Sequence, residues 1–309
     1  ERLSDKQLGA GVAIYEGATA KLSDVRISDS RAIGLQILGA GTVVNLERAL
    51  IDGTEATVAS GLSGQGVSVE AGAFVNMKWV RLHANTSAGV AVRGAGSRLL
   101  GERLLVDATR FETLKHVGGY GLLASGGAEV SLTASRFSAN RHTAIAAIEP
   151  KTRLHLYGVL ADLTESMPLT LLGVSPEESK NSAGTAGQGV VIAQGAVGEV
   201  LACRVVGNHQ SGVTVWAAGD PTTHGRLVGV ECRHTQQNLK EHAGFGVMAH
   251  GVPDLFDLIA SRVAHNVIAN VYIRFAGGVI RHSVIENAVS GTFMNPVYVE
   301  GQDEAILVK

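Results

Sequence analysis

The sequence predicts an all-β fold, a right-handed parallel β-helix wound as one solenoid of about ten coils with three short strands in each. Three observations predict it. Among 309 residues there are 39 Gly and 45% hydrophobic side chains against only 6 Pro and 5% aromatics, a composition suited to short strands, tight turns and small stacked side chains. A unit recurs along the chain: Gly, apolar, any, apolar, a Gly/Ala turn, a second short apolar alternation, and a third that ends at Asn or Thr. Inside each unit the alternation has period two, which sets Val67, Val69, Val75, Met77, Val80 and Leu82 on one side of successive strands and makes them core.

The coils follow in order. GVAIYEGATAKLSDVRISDS, GVSVEAGAFVNMKWVRLHAN, GLLASGGAEVSLTASRFSAN and GVVIAQGAVGEVLACRVVGN begin at Gly11, Gly66, Gly121 and Gly189. Between them, GLQILGAGTVVNLERALIDGT, GVAVRGAGSRLLGERLLVDAT and AIAAIEPKTRLHLYGVLADLT begin at Gly34, Gly89 and Ala144; the last coils open at Gly212, Gly246, Asn270 and near Pro296. From Gly34 through Gly66, Gly89 and Gly121 to Ala144 the steps are 32, 23, 32 and 23 residues, so bare and inserted turns alternate and the larger repeat is a pair of coils. Each coil leaves its apolar edges open, and stacking at about 4.8 Å per coil joins them into one core. No helical pattern of the length a βαβ unit needs separates the strands.

Insertions at 55–65, 110–120, 165–188, 236–245 and 290–295 all follow the Asn/Thr turn and project along one edge. Residues 1–309 therefore read as a single domain. Only ERLSDKQLGA precedes the first coil, without a legible cap, so the chain is expected to be a segment of a longer protein or to have that end covered by a partner.

Asn85, Asn140, Asn208, Asn266 and Asn287 close the bare coils, and Thr54, Thr109 and Thr164 the inserted ones. A stacked polar ladder is expected there, each amide bonding to the copies above and below. Cys203 and Cys232 are too few for a disulfide framework and lack zinc-site spacing. Aligned as equivalent inward positions of adjacent coils, they are expected to form a stacked but unjoined thiol pair.

The phrases GVxVxxGAxxxLxxxxxxxN and GAGTxLxxxxxxxDxT resemble the right-handed parallel β-helix repeat proteins of bacteria, in the broad pectin-lyase-like group, over about residues 9–300. The alternating pair of coils is similar to the repetitive secreted or surface proteins common in myxobacteria. The resemblance implies the fold and an extracellular or bacterial cell-envelope location. It leaves activity open, since relatives include polysaccharide lyases, hydrolases, epimerases and phage tailspikes.

Two residues before the Asn/Thr ladder, Asp52, His83 and Asp107 fall in one outward column, a carboxylate, imidazole, carboxylate stack able to perform acid–base work. Two residues earlier, Arg26, Arg81, Arg136, Arg204 and Arg262 alternate with Leu50, Leu105 and Leu160, each Arg diagonal to an acid of the neighbouring coil. The same residues therefore also read as a charge-neutralising surface lattice. Neither the clustered carboxylates of calcium-dependent lyases nor the local motifs of the hydrolases are found, so no metal and no cofactor are expected. Candidate binding residues on the insertions and the outer face are Phe111, Lys115, His116, Tyr120, Trp216 and Phe245.

On the first strand of each coil the outward position reads Gln36, Ser68, Ala91, Leu123, Ala146, Val191, Thr214, Met248, Tyr272. This stripe turns apolar along the solenoid and is expected to be covered, either by MPLTLLGV at 167–174 or by a second chain in a homodimer through Leu123, Val191, Trp216 and Met248. With 26 basic and 28 acidic residues and no basic cluster, a nucleic-acid groove is excluded. No run of eighteen apolar residues spans a membrane. Two functional readings stand: a non-catalytic extracellular or envelope scaffold for a polysaccharide or protein partner, and a carbohydrate-active lyase or hydrolase. A purely structural spacer is a third.

Overall fold

The computed structural model describes residues 9–57, 63–111, 118–165, 187–237, 244–251, 255–286, 288–289, 296–300 and 306–308. Every strand pair is parallel. The first strands of the coils, from Gly9–Tyr15 to Val297–Glu300, form an eleven-stranded sheet in chain order. The second and third strands form two further ladders. These join into one nineteen-stranded sheet because Val43–Asp52 and Phe74–His83 run through the corner without a break.

Register follows from which face each residue must bury. Val12, Leu35, Val67, Val90, Leu122, Ile145, Val190, Val213, Val247, Val271 and Val297 make one inward column. The expected core residues Val67, Val69, Val75, Met77 and Leu82 are fully buried and Val80 is 1% exposed. Parallel stacking leaves each coil little room, and this explains the recurring glycine at the start of each unit. A Cβ on Gly66 would lie 2.7 Å from the Gly89 carbonyl oxygen, and one on Gly121 would lie 2.4 Å from that of Ala144. The anchor glycine is thus a matter of close approach rather than of left-handed backbone.

The Asn/Thr corner is built differently from the expected stack of amides. Asn140 accepts from the Thr109 N–H at 3.2 Å and donates to the Val106 carbonyl at 3.3 Å. Asn85, Asn208 and Asn266 do the same for Thr54, Thr164 and Thr235. Because these four asparagines stand two coils apart, each amide clamps the backbone of the Thr coil before it, and none of the four bonds to another of them. The Thr54, Thr109 and Thr164 hydroxyl oxygens are buried without a partner. Asn287 lies outside the described residues.

The cysteines also depart from expectation. Cys232 is opposite Val205, whereas Cys203 precedes Arg204, itself opposite Glu231, so the two thiols are two residues out of register. Both are buried and free. Cys203 instead belongs to a corner ladder that sequence reading missed. Leu104 N–H donates to Ser135 Oγ at 3.0 Å, Val159 N–H to Cys203 Sγ at 3.4 Å, and Val230 N–H to Ser261 Oγ at 3.0 Å. Thr42, Ser97, Thr152 and Thr223 serve another corner in the same alternating way, accepting from Gly17, Gly72, Gly127 and Gly195.

Candidate functional site

The third strands bring Asp52, His83 and Asp107 together as expected. Asp52 pairs with His83 and His83 with Asp107 in the ladder. His83 Nδ1 lies 2.9 Å from Asp107 Oδ2. Each carboxylate is also held by an arginine of the coil before it: Arg26 Nη2 to Asp52 at 2.9 Å, Arg81 Nη2 to Asp107 at 2.8 Å. Ser28 donates to Asp52 at 2.6 Å. The Arg26 hydrogen bond, with that of Ser28, holds the Asp52 carboxyl below its ordinary range despite partial burial. At Asp107 burial works in the opposite direction, but hydrogen bonds from Arg81 and His83 outweigh it and the pKa is lowered. Both carboxylates are therefore firmly ionised, a state suited to pairing and unsuited to donating a proton near neutrality.

The pattern does not stop at these three residues. Arg136 pairs with Asp162 at 2.7 Å, Arg204 with Glu231 at 2.8 Å and Arg262 with Glu286 at 2.7 Å. Five arginines spaced two coils apart thus each hold an acid of the next coil. Among the described residues, no group of three or more His, Cys, Asp or Glu side chains could hold a metal ion.

The insertions share one edge at their feet. Strands opening at Gln65, Tyr120, Gln188 and Phe245 lie in one register column with Ala88, Thr143 and Ser211. Lys115 and His116 lie outside the described residues. The other proposed binding residues are not gathered into one pocket. Phe111 is 9% and Phe245 8% exposed, and Phe245 stacks on Tyr272 at 4.6 Å. Tyr120 packs on His142 with centroids 4.6 Å apart. Trp216 remains open, 41% exposed.

The outward column of the first sheet is one continuous register, from Gln36 to Tyr272. Residues 167–174, one of the two covers expected for it, lie outside the described residues. Ser68, Ala91, Ala146, Val191 and Thr214 are buried, and Ala146, Val191 and Ala193 pack with Tyr120, Leu123 and Ile148. Outward orientation on this sheet therefore does not guarantee exposure.

Sequence reading passed over a different place. At the corner between second and third strands, Trp79 is 42% exposed with φ +53. The equivalent residues are Asp24, Arg48 and Arg103 in the neighbouring coils and Ala134, Gly158, Ala202, Gly229, Ala260 and His282 beyond them, all left-handed. Trp79 is the bulkiest side chain of that series, a fact that composition alone does not reveal.

Comparison with known proteins fits this architecture. Residues 65–228 match the model of the family described as the right handed beta helix region. The crystal structure of pectate lyase Pel9A is similar at 11% identity and a TM-score of 0.41, covering 94% of this chain and 66% of that one. A crystal structure of a double mutant of the periplasmic alginate epimerase AlgG is similar at 11% identity and a TM-score of 0.37, covering 96% of this chain and 78% of that one. No curated protein matches the chain. At such identities the likeness is one of fold alone. With more than half of its length, residues 65–228, matched by the family model, the chain belongs to the right-handed β-helix family.

Proposed function

We propose that this chain is a non-catalytic binding scaffold of the extracellular space or cell envelope, presenting its outer faces to a carbohydrate partner. The observation that carries this reading is the arginine–acid lattice. Asp52 and Asp107 are two acids of a series that also includes Asp162, Glu231 and Glu286, each engaged by an arginine. A surface that repeats over this length is a structural feature of the solenoid, and it leaves exposed aromatics such as Trp79, Tyr157 and Trp216 as the groups available for recognition. Glycan-array binding with no product formed from any bound glycan is the expected outcome. Absence of binding to every glycan on the array overturns the proposal.

A second reading, a carbohydrate-active enzyme, is favoured by one observation: Asp107 orients the His83 imidazole, whose side chain is 40% exposed. Under that reading, a panel of acidic and neutral polysaccharides shows chain cleavage that His83→Ala abolishes. A homodimer through Leu123, Trp216 and Met248 belongs to the scaffold reading; Val191, 8% exposed, contributes little to it. Light scattering of the protein and of a Leu123→Lys, Trp216→Glu variant tests it, a monomeric native chain removing the dimer.

A further inference from the structure

The second-to-third-strand corner carries Asp24, Arg48, Trp79 and Arg103 in its first four coils, all at positive φ. Bulky side chains are disfavoured there, and strain of this kind concentrates where a side chain has a task. Trp79 is braced on one side. Arg103 lies 5.5 Å and Lys78 Nζ 5.1 Å from the ring centroid. Lys78 is tied to Glu102 of the following coil at 2.9 Å, so both cations gather on that side of the indole. Arg48 is directed the other way, to Asp24 of the preceding coil, through two bonds of 2.7 and 2.8 Å. Among the described residues, no other cation or ring covers the indole.

Beside this corner, on the outer face of the second strands, lies a depression of about 310 Å³ lined by Lys21, Asn45, Leu46, Glu47, Asn76 and Lys78. Its polar groups are of the kind that bind hydroxyls. Asn76 Nδ2 donates to Asn45 Oδ1 at 3.4 Å, and the two carboxamides carry a further acceptor on Asn76 and further donors on Asn45. The charges are largely matched within the site. Arg48 pairs with Asp24 and Glu47, Lys78 and Arg103 with Glu102. With Lys21, four cations stand against the three carboxylates Asp24, Glu47 and Glu102, a surplus of one where an anionic polymer needs several.

We propose that Trp79 and the adjoining depression form a stacking site for a neutral hexopyranose chain. The C–H face of a sugar ring lies on the electron-rich face of the indole, and its hydroxyl edge reaches Asn45, Asn76 and Glu47. The site rests on the scaffold reading above and names the ligand class and the place where it binds.

The test uses the whole chain and its two tryptophans, which give two indole N–H signals in a proton–nitrogen correlation spectrum. The probes are cellohexaose, laminarihexaose and β-mannohexaose, with hexagalacturonate and hexamannuronate as the anionic comparison. The expected result is a saturable shift of the Trp79 signal with a neutral hexamer. Trp79→Gly weakens that binding tenfold or more yet leaves the melting temperature unchanged or raised, since glycine is at ease at this φ. Asn76→Ala weakens binding with the Trp79 signal still present. Equal binding by Trp79→Gly, or a Trp79 shift with the anionic hexamers alone, overturns the site while leaving the scaffold reading intact. Failure of every glycan on the array overturns both.

Discussion

The buried asparagine corner and the exposed arginine–acid lattice are built on the same two-coil period, yet burial makes them different devices. Asn140 is fully buried and its amide satisfies one N–H and one carbonyl of the coil before it. Arg81 bonds Asp107 just as closely, at 2.8 Å, but its side chain is 48% exposed. Water can replace the arginine and cannot replace the asparagine. The net worth of an exposed ion pair is about 0–1 kcal/mol, whereas a buried group left without its partner costs about 1–3 kcal/mol. Regular repetition therefore says little about energy until the solvent is placed.

The largest effect expected from this contrast is at the corner. Asn140→Leu strands the Thr109 N–H and the Val106 carbonyl, and a destabilisation of about 3 kcal/mol is expected from two such groups. Chemical denaturation checks it, and a loss below that of removing Arg81 breaks the comparison. Neighbour-coupled coils make local fraying around residues 106–140 the expected first event.

Acid provides a second test with a defined direction. Although His142 retains some accessible surface, its imidazole packs on Tyr120, and removal from water lowers its pKa from 6.5 to about 4. A group lowered in this way stays neutral in the fold while the unfolded chain takes up a proton. Stability is thus lost as pH falls from 6.5 toward about 4, and His142→Gln flattens that portion of the profile. Asp52 and Asp107 act lower. Their depressed pKa values give stability that is present above the unfolded value near 3.8 and is lost as pH falls through the folded values. Melting curves across pH distinguish the two stages.

In the lattice itself, a double-mutant cycle on the more exposed pair Arg262→Ala and Glu286→Ala is expected to give a coupling of about 0–1 kcal/mol that shrinks with added salt. A coupling above about 2 kcal/mol assigns the lattice a share of the fold that exposure argues against.

The same distinction decides what was legible in the sequence. Period-two alternation placed the strands and the inward columns, because a one-residue slip would expose an entire face. It also aligned Asp52, His83 and Asp107, since register follows automatically from the core. Three features escaped. The cysteines were aligned two residues apart from their true positions because Cys203 sits at the corner and Cys232 within the third strand of the next coil. The burial of Ala91 and Val191 is not encoded by the outward orientation that alternation gives. Trp79 was passed over, since φ at a corner is invisible until the corner is located.

The smallest effect expected tests the corner ladder that contains Cys203. Ser135 and Ser261 occupy the same position two coils away on either side, each accepting a backbone N–H at 3.0 Å. Cys203 does so with sulfur at 3.4 Å, a longer and weaker bond, and donates to the Leu201 carbonyl at 3.2 Å. Burial pushes its thiol pKa up, so it is neutral in the fold and replaceable by a neutral hydroxyl. Cys203→Ser is therefore expected to change stability by no more than about 0.5 kcal/mol, since the stronger acceptor offsets the smaller side chain. Cys203→Val fills the volume but leaves the Val159 N–H unpaired, and a loss of about 1–2 kcal/mol is expected. If valine is tolerated better than serine, the position is governed by packing, and the alternation of Ser and Cys along this corner is not a hydrogen-bonding ladder.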